Sequence, residues 1–124
     1  MAKACELSRD YSPPFCVHAK QQTQGYGRHQ RPWHSEAGNL CATLALKPVV
    51  PMKQWYELSF VTAIAVYKTV AYLGPHLQLA LKWPNDVLVM NKKIAGILIE
   101  TSPSVAYIGI GLNCALSPLP TSTC

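Results

Sequence analysis

The sequence predicts an α+β fold in which a mixed, mainly antiparallel sheet packs against helices. One long segment, 52–73, has apolar residues at helical spacing, whereas six shorter segments are apolar and rich in β-branched residues. The last strands are joined by turns too short for parallel crossovers. The 124 residues correspond to one domain, and 49% hydrophobic against 14% charged residues exclude disorder through low hydrophobicity.

The first part of the chain is predicted as helix, strand, loop and strand. Residues 3–10 have helical composition, end at Pro13 and Pro14, and are expected to be the end of a longer helix. A short strand is predicted over 15–19, followed by a polar, glycine-containing loop over 21–30. The segment 40–46 has little polarity on either face, which is typical of a strand covered on both sides.

The second part is predicted as one helix followed by four strands. The helix 52–73 ends at Gly74 and Pro75. Strands are predicted over 78–83, 87–90, 94–100 and 105–112, with turns at 91–93 and 102–104. Two adjoining stripes are expected to form the buried face of the helix: Trp55, Leu58, Val61 and Ala65 in one, and Phe60, Ile64, Tyr67 and Ala71 in the other.

The charge is unevenly distributed along the chain. Eleven Lys and Arg against six Asp and Glu give a net charge of +5, and the segment 18–34 is basic without a carboxylate. Such a segment favours an anionic ligand, for which a nucleic acid, a nucleotide phosphate and a substrate carboxylate are all candidates.

The cysteine, histidine and hydropathy patterns disfavour several classes of protein. The five cysteines are an odd number without a Cys-x-x-Cys pair, which favours buried or inert thiols over a disulfide framework or zinc ribbon. The four histidines share no ligand spacing, so no metal-binding side-chain cluster is expected. Without an apolar run of about 20 residues or a secretory signal, we expect a cytoplasmic protein with no membrane segment.

The loop 25–28 has the sequence Gly-Tyr-Gly-Arg. It lies between two predicted strands and lacks a third glycine at the dinucleotide-binding spacing, which disfavours a Rossmann site. Two interpretations remain: a loop whose glycines allow close backbone approach while Arg28 and Arg31 bind phosphate, or a solvated basic loop.

A second cluster, Lys-Trp-Pro-Asn-Asp over 82–86, ends a predicted strand. A structural interpretation would place Trp83 in the core, end the strand at Pro84, make turn formers of the Asn-Asp pair and leave the lysine as a surface charge. However, Lys93 follows across the next turn, so the hairpin would bring it near Asp86, where it could neutralise a substrate carboxylate while Gly96 leaves room. Gly109 lies two residues before another strand glycine, a pattern that indicates an approaching ligand or close packing.

Together these residues resemble the catalytic domain of the biotin protein ligases, over roughly 16–113. The motifs occur in the family's order: 22–28 with Arg31 and Trp33, 38–40, Lys-Trp-Pro-Asn-Asp, 93–100 with its Lys-Ile-Ala-Gly-Ile start, and 108–113. The resemblance implies a biotin/lipoate ligase-like fold related to class II aminoacyl-tRNA synthetases. Relatives that activate lipoate share the fold and are the remote alternative, although they are not expected to carry the Lys-Trp-Pro-Asn-Asp and Lys-x-Ala-Gly-Ile pair.

The resemblance also implies an activity. Biotin and ATP, with Mg²⁺, would give biotinyl-adenylate, and a lysine of a biotin carboxyl carrier domain would then take the acyl group. No nucleic acid is expected as a partner, and a homodimer is compatible with the family. The resemblance assigns these residues: catalytic Arg28, Lys93 and Asp86; biotin or adenylate binding Gln22, Gly25, Tyr26, Gly27, Arg28, Trp33, Lys93 and Gly96; ATP binding Arg28, Arg31, Lys82, Asn85 and Asn113.

The chain departs from the family pattern in places. Where many members have Gly-Arg-Gly-Arg-x-Gly-Arg, Tyr26 replaces an arginine and Gln30 a glycine. The family's Ser-Thr-Asn turn would precede Met1, and its last helices, last strands and small C-terminal barrel would follow the chain's end. We therefore expect a partial catalytic domain, truncated at both ends, over 1–116 with a frayed tail over 117–124. The alternative is a truncated, non-catalytic relative that only binds biotin, adenylate or carrier.

Overall fold

The computed structural model describes residues 1–115 as one six-stranded sheet with two α-helices. The sheet order is β1-β2-β6-β5-β4-β3, and all five pairings are antiparallel. The predicted α+β class is confirmed. The elements are α1 (Ala2–Leu7), β1 (Phe15–Ala19), β2 (Leu40–Leu46), α2 (Leu58–Leu73), β3 (Leu79–Lys82), β4 (Asp86–Val89), β5 (Lys92–Thr101) and β6 (Ala106–Leu112).

The two faces of the sheet are covered by different elements. Helix α2 packs on one face through Ala63 and Val66, against Ile97 of β5 and Val87 of β4. On the opposite face α1 packs through Ala4 at one end of the sheet only, in a cluster with Ala45, Val105 and Tyr107. The rest of that second face is left to the loop between β1 and β2.

The long helical segment differs from the prediction in two ways. Residues Met52–Glu57 form 3₁₀ turns, and the α-helix begins at Leu58. The predicted stripes coincide with the packed face only in part: Trp55 is buried, but Val61 and Ile64 are 60% and 43% exposed. Thr62, Ala63 and Val66, which belong to neither stripe, are buried instead. The helix is apolar on most of its circumference, so apolar spacing alone does not identify the face that packs.

The turn predicted at 91–93 is displaced toward the N-terminus. Met90 and Asn91 both have positive φ, 48° and 62°, as a two-residue hairpin turn of type I′ requires. Lys92 and Lys93 are therefore the first residues of β5.

The cysteines of the described range differ in burial. Of the four within residues 1–115, Cys41 is buried, whereas Cys5, Cys16 and Cys114 are exposed, and all four are free thiols. Cys124 and the predicted tail 117–124 lie outside the described residues. Over the described range, none of the helices combines the length and the apolar character needed to cross a membrane.

Candidate functional site

A cavity of about 810 Å³ lies on the sheet face that α2 does not cover. Its walls are α1, the loop after β1, the β3–β4 turn and the cavity-facing side chains of β5 and β6. Among the charged side chains that line it, Asp86 is the single carboxylate, against the cations of Lys3, Arg28, Arg31, Lys82 and Lys93. This excess of positive charge favours an anionic ligand.

The floor of the cavity is made by glycines. Gly96 of β5 pairs with Gly111 of β6, so two residues without side chains lie next to each other on the cavity face. A Cβ atom added to Gly111 would lie 2.5 Å from Cε2 of Trp33, and one added to Gly96 would lie 3.1 Å from Cε of Lys93. The strand glycines therefore make room for the Trp33 ring and the Lys93 side chain inside the cavity.

A β-bulge directs Lys93 into this cavity. Val87 pairs with Ala95 and Leu88 pairs with Lys93, which leaves Ile94 as the extra residue of β5. Regular alternation would put Lys93 on the same face as Ala95, against α2; the inserted residue turns it to the face of Asp86. Nζ of Lys93 lies 2.7 Å from Oδ1 of Asp86, an ion-pair contact that is not aligned as a hydrogen bond.

The pair is well shielded, since the side chain of Lys93 is 23% exposed and that of Asp86 is 12% exposed. Nζ of Lys93 also lies 5.6 Å from the centre of the Trp33 ring, within range of a cation–π contact. An ammonium group held between a carboxylate and an aromatic ring is positioned to receive a second carboxylate from a ligand.

The β3–β4 turn is fixed to β5 by Asn85. Its Nδ2 donates to the carbonyl of Ile97 at 2.8 Å, and the amide of Ile97 donates to the carbonyl of Asn85 at 2.9 Å. The side-chain oxygen of Asn85, Oδ1, accepts a long hydrogen bond of 3.5 Å from Nη1 of Arg28. The turn thus connects the arginine of the loop to the strand that carries Lys93.

The loop after β1 is more ordered than the sequence indicates. Residues 25–33 form a loop hairpin, in which the amide of Trp33 donates to Gly25 at 2.9 Å and the amide of Gly27 donates to Arg31 at 2.8 Å. At its tip His29 and Gln30 both have positive φ, 55° and 58°. The predicted loop therefore contains a short hairpin with a 3₁₀ turn over Arg28–Gln30.

Two ionisable groups near the cavity have shifted pKa values. The hydroxyl of Tyr26 donates to Oε1 of Glu100 at 2.7 Å, and this bond raises the pKa of the Tyr26 phenol, with desolvation as a smaller cause. Burial raises the pKa of the Cys41 thiol, so this cysteine at the cavity wall favours its neutral form.

Most of the predicted site residues line this cavity, although they come from distant parts of the chain. Those that do are Gln22, Tyr26, Gly27, Arg28, Arg31, Trp33, Lys82, Asn85, Asp86, Lys93, Gly96 and Asn113. Gly25 does not line it. A Cβ atom at Gly25 would overlap the carbonyl oxygen of Trp33, so this glycine allows the hairpin strands to approach.

Further observations concern two residues discussed in the sequence analysis and two that it did not assign to the site. Trp83, buried in the structural interpretation, is 78% exposed, with its ring centre 6.0 Å from that of Phe60. Oδ1 of Asn113 is buried without a hydrogen-bond partner in the part of the chain described. Two residues were not predicted as part of the site: Thr43, which lines the floor of the cavity, and Glu100, the acceptor for Tyr26. The pairing of Thr43 with Gly109 could have indicated the first, but no local signal indicated the second.

Within residues 1–115, no group of three or more His, Cys, Asp and Glu side chains is placed to hold a metal ion. With Asp86 as its one carboxylate, the cavity lacks the oxygen ligands of a protein-made magnesium site.

Solved structures share this architecture. The biotin protein ligase of Leishmania major in complex with biotinyl-5-AMP superposes with a TM-score of 0.82 and 29% identity, covering 94% of this chain and 54% of that one. The biotin protein ligase of Aquifex aeolicus in complex with biotin and ATP gives 0.77 and 30%, covering 93% and 50%. The chain thus has the biotin protein ligase fold.

The chain belongs to the Biotin/lipoate A/B protein ligase family, whose sequence model matches residues 3–115. It is 42% identical over 123 residues to a biotin–[acetyl-CoA-carboxylase] ligase of Paracoccus denitrificans, covering 94% of this chain and 51% of that protein. A ligase of the same name from Mycobacterium tuberculosis is 39% identical over 104 residues, covering 81% and 39%. The chain therefore spans about half the length of the first relative, and less of the second.

Proposed function

We propose that this chain carries the site at which biotin is activated with ATP to biotinyl-adenylate and passed to a lysine of a carrier protein. The observation that carries the proposal is the placement of Lys93, which a bulge turns into a cavity lined by four other Lys and Arg cations. Family membership supports the same conclusion, as do the relatives whose names specify biotin ligation.

The first step forms a mixed anhydride. A carboxylate oxygen of biotin attacks the α-phosphorus of ATP, a P–O bond forms, and pyrophosphate leaves. Lys93 would hold the carboxylate, and Arg28 at the cavity mouth would stabilise the charge that builds on the phosphoryl oxygens. Fixed cations in a shielded site contribute most to such reactions because they need no reorganisation as the charge develops.

The second step transfers the acyl group. The ε-amino nitrogen of the acceptor lysine attacks the acyl carbon, an amide bond forms, and AMP leaves with the bridging oxygen. Asp86 lies beside Lys93 at the cavity and would take the proton that the attacking amine loses. The loop hairpin would exclude water from the adenylate between the two steps.

The buried amide oxygen of Asn113 suits the nucleotide base. A side-chain amide can accept from the amino group of adenine and donate to its ring nitrogen, and Oδ1 of Asn113 lacks a partner among the described residues. Because the cavity offers one carboxylate, Mg²⁺ would enter as part of the ATP complex, held mainly by the phosphates.

The proposal is tested by incubating the chain with biotin, ATP and Mg²⁺ and detecting biotinyl-adenylate by mass spectrometry. We expect Arg28→Ala and Lys93→Ala each to lower adenylate formation about 100-fold or more, as loss of a charge-stabilising donor does. Lys92→Ala is the matched control, because Lys92 is the exposed neighbour of Lys93 in β5 and does not line the cavity. All three variants should keep the circular dichroism spectrum of the parent.

Two results would contradict this proposal. Absence of adenylate under conditions in which a full-length ligase makes it would overturn catalysis by this chain, and calorimetric binding of biotin in that case would support the non-catalytic alternative. Efficient use of lipoate in place of biotin would support the lipoate-type alternative.

The partner proposed is the biotin-accepting domain of a carboxylase, as the names of the relatives imply for those proteins. A homodimer, a cytoplasmic location and the absence of a nucleic-acid partner stay predictions. Sedimentation, cell fractionation and a salt-dependent nucleic-acid binding assay would test them in turn.

A further inference from the structure

Tyr26 of the loop hairpin forms a side-chain hydrogen bond to β5. Its hydroxyl donates to Glu100 across 74 positions of sequence, at 2.7 Å. Glu100 lies on the cavity face by the same alternation that places Gly96 there, but seven residues beyond Lys93. The hairpin is thereby held at two places along β5: Trp33 lies beside Gly96 in the middle of the strand, and Tyr26 is bonded to Glu100 near its end.

Apart from the packing of the Trp33 ring on β5 and β6, the other contacts of the loop hairpin are weaker or internal. The contact from Arg28 to Asn85 is long, at 3.5 Å, and Arg28 itself is exposed. The backbone hydrogen bonds at Gly25 and Gly27 join the hairpin to itself and do not hold it against the sheet. A hydrogen bond to a carboxylate is charge-assisted and stronger than a neutral one.

The tip of the hairpin needs such support. His29 and Gln30 adopt consecutive left-handed conformations, which cost free energy for residues that have a Cβ atom. Strained backbone of this kind persists when surrounding contacts determine it. Among the described residues, the bond from Tyr26 to Glu100 is the short side-chain hydrogen bond that joins the hairpin to the sheet, and together with the packing of Trp33 it can offset this cost from outside the hairpin.

We propose that Tyr26 and Glu100 form a latch that keeps the loop hairpin closed over the cavity, and that both are positioning residues. The inference rests on the proposed function for its catalytic consequence, because a closed hairpin would retain the adenylate. The latch itself is a property of the fold and can be measured without any reaction.

The structural arm of the test uses Tyr26→Phe, which removes the hydroxyl alone, and Glu100→Gln, which removes the charge. Trypsin cleavage after Arg28 under native conditions reports the open hairpin, because proteolysis follows the open population when opening is fast. We expect each variant to raise this cleavage rate about tenfold, the size expected for losing a charge-assisted hydrogen bond that is partly exposed. The double variant should be no faster than Tyr26→Phe alone, because without the hydroxyl there is no bond left for Glu100→Gln to weaken.

Two further variants sharpen the structural arm. Tyr72→Phe is the control, since Tyr72 is 85% exposed on α2 and lies outside the cavity. Tyr26→Arg should keep the slow cleavage, because a guanidinium donor can also bind Glu100. An unchanged cleavage rate in Tyr26→Phe and Glu100→Gln would overturn the latch, whatever the activity of the chain.

The catalytic arm measures how much adenylate escapes into solution per turnover. Tyr26→Phe should raise the released fraction about tenfold and increase KM for biotin more than it changes kcat. If the parent makes no adenylate, the proposed function fails while the cleavage result still decides the latch. If cleavage rises but adenylate retention is unchanged, the role of the latch in positioning is refuted.

Discussion

Replacing Gly111 with alanine tests whether the Trp33 ring lies on the cavity floor. The added Cβ atom would lie 2.5 Å from Cε2 and 2.6 Å from Cζ2 of that ring. Because unstrained carbon atoms stay about 3.5–4.0 Å apart, the ring would have to retreat by about 1 Å or more. Forced contacts of this kind cost about 1–3 kcal/mol, which shifts a two-state equilibrium about 5- to 150-fold.

The matched control is Gly109→Ala, two residues earlier on the same strand face. There the new Cβ atom would lie 3.0 Å from Cε of Met1, the far end of a flexible side chain that can move at little cost. We therefore expect urea unfolding to show a loss of about 1–3 kcal/mol in Gly111→Ala and about 0.5 kcal/mol or less in Gly109→Ala.

Acrylamide quenching supplies the second readout for the Gly111 prediction. The emission of Trp33 is obtained by subtracting the spectrum of the same chain carrying Trp33→Phe, because Trp55 and Trp83 also emit. Quenching of Trp33 should increase in Gly111→Ala and stay at the parent level in Gly109→Ala. If the two alanine variants behave alike in both measurements, the Trp33 ring does not occupy the space above Gly111.

Three other predictions follow from the site and the core. Arg28→Ala and Lys93→Ala should reduce adenylate formation about 100-fold or more with the fold retained, as mass spectrometry and circular dichroism would show. The bond to Glu100 raises the pKa of Tyr26 above its ordinary value of 10.0. The stabilising contribution of this bond is therefore fully present below pH 10.0 and is lost as the pH rises through the raised pKa. The difference in tyrosinate absorbance between the parent and Tyr26→Phe should accordingly appear at a higher pH than for an ordinary tyrosine. Ile97→Ala should cost about 2–5 kcal/mol in urea unfolding, whereas Val61→Ala on the exposed face of α2 should change stability by about 0.5 kcal/mol or less.

The strands were predictable because their patterns are local. Segments 15–19 and 40–46 have the predicted bounds, and the last strands differ by a few residues at their ends. The buried face of α2 was not predictable in the same way. Its apolar residues surround the helix, so the choice between Val61 and Ala63 depends on which strands lie beneath it.

The site was predicted as a set of residues but not as an arrangement. The pairing of Lys93 with Asp86 follows from the hairpin that joins their strands, so the sequence indicated it. The bulge at Ile94, which directs this lysine into the cavity, was not indicated, because one unpaired residue does not visibly change the hydrophobic pattern of a strand. The contact between Tyr26 and Glu100 is a long-range side-chain bond, which only the folded chain defines.

Isotope transfer tests the central claim most directly, namely that this cavity joins the biotin carboxylate to the α-phosphate of ATP. Biotin labelled with ¹⁸O in its carboxylate is incubated with the chain, ATP, Mg²⁺ and an acceptor carrier domain. The mass of the released AMP is then measured by mass spectrometry. The mechanism predicts one ¹⁸O atom in the AMP phosphate, because the bridging oxygen of the adenylate comes from biotin and leaves with AMP. Unlabelled AMP formed alongside biotinylated carrier would contradict it.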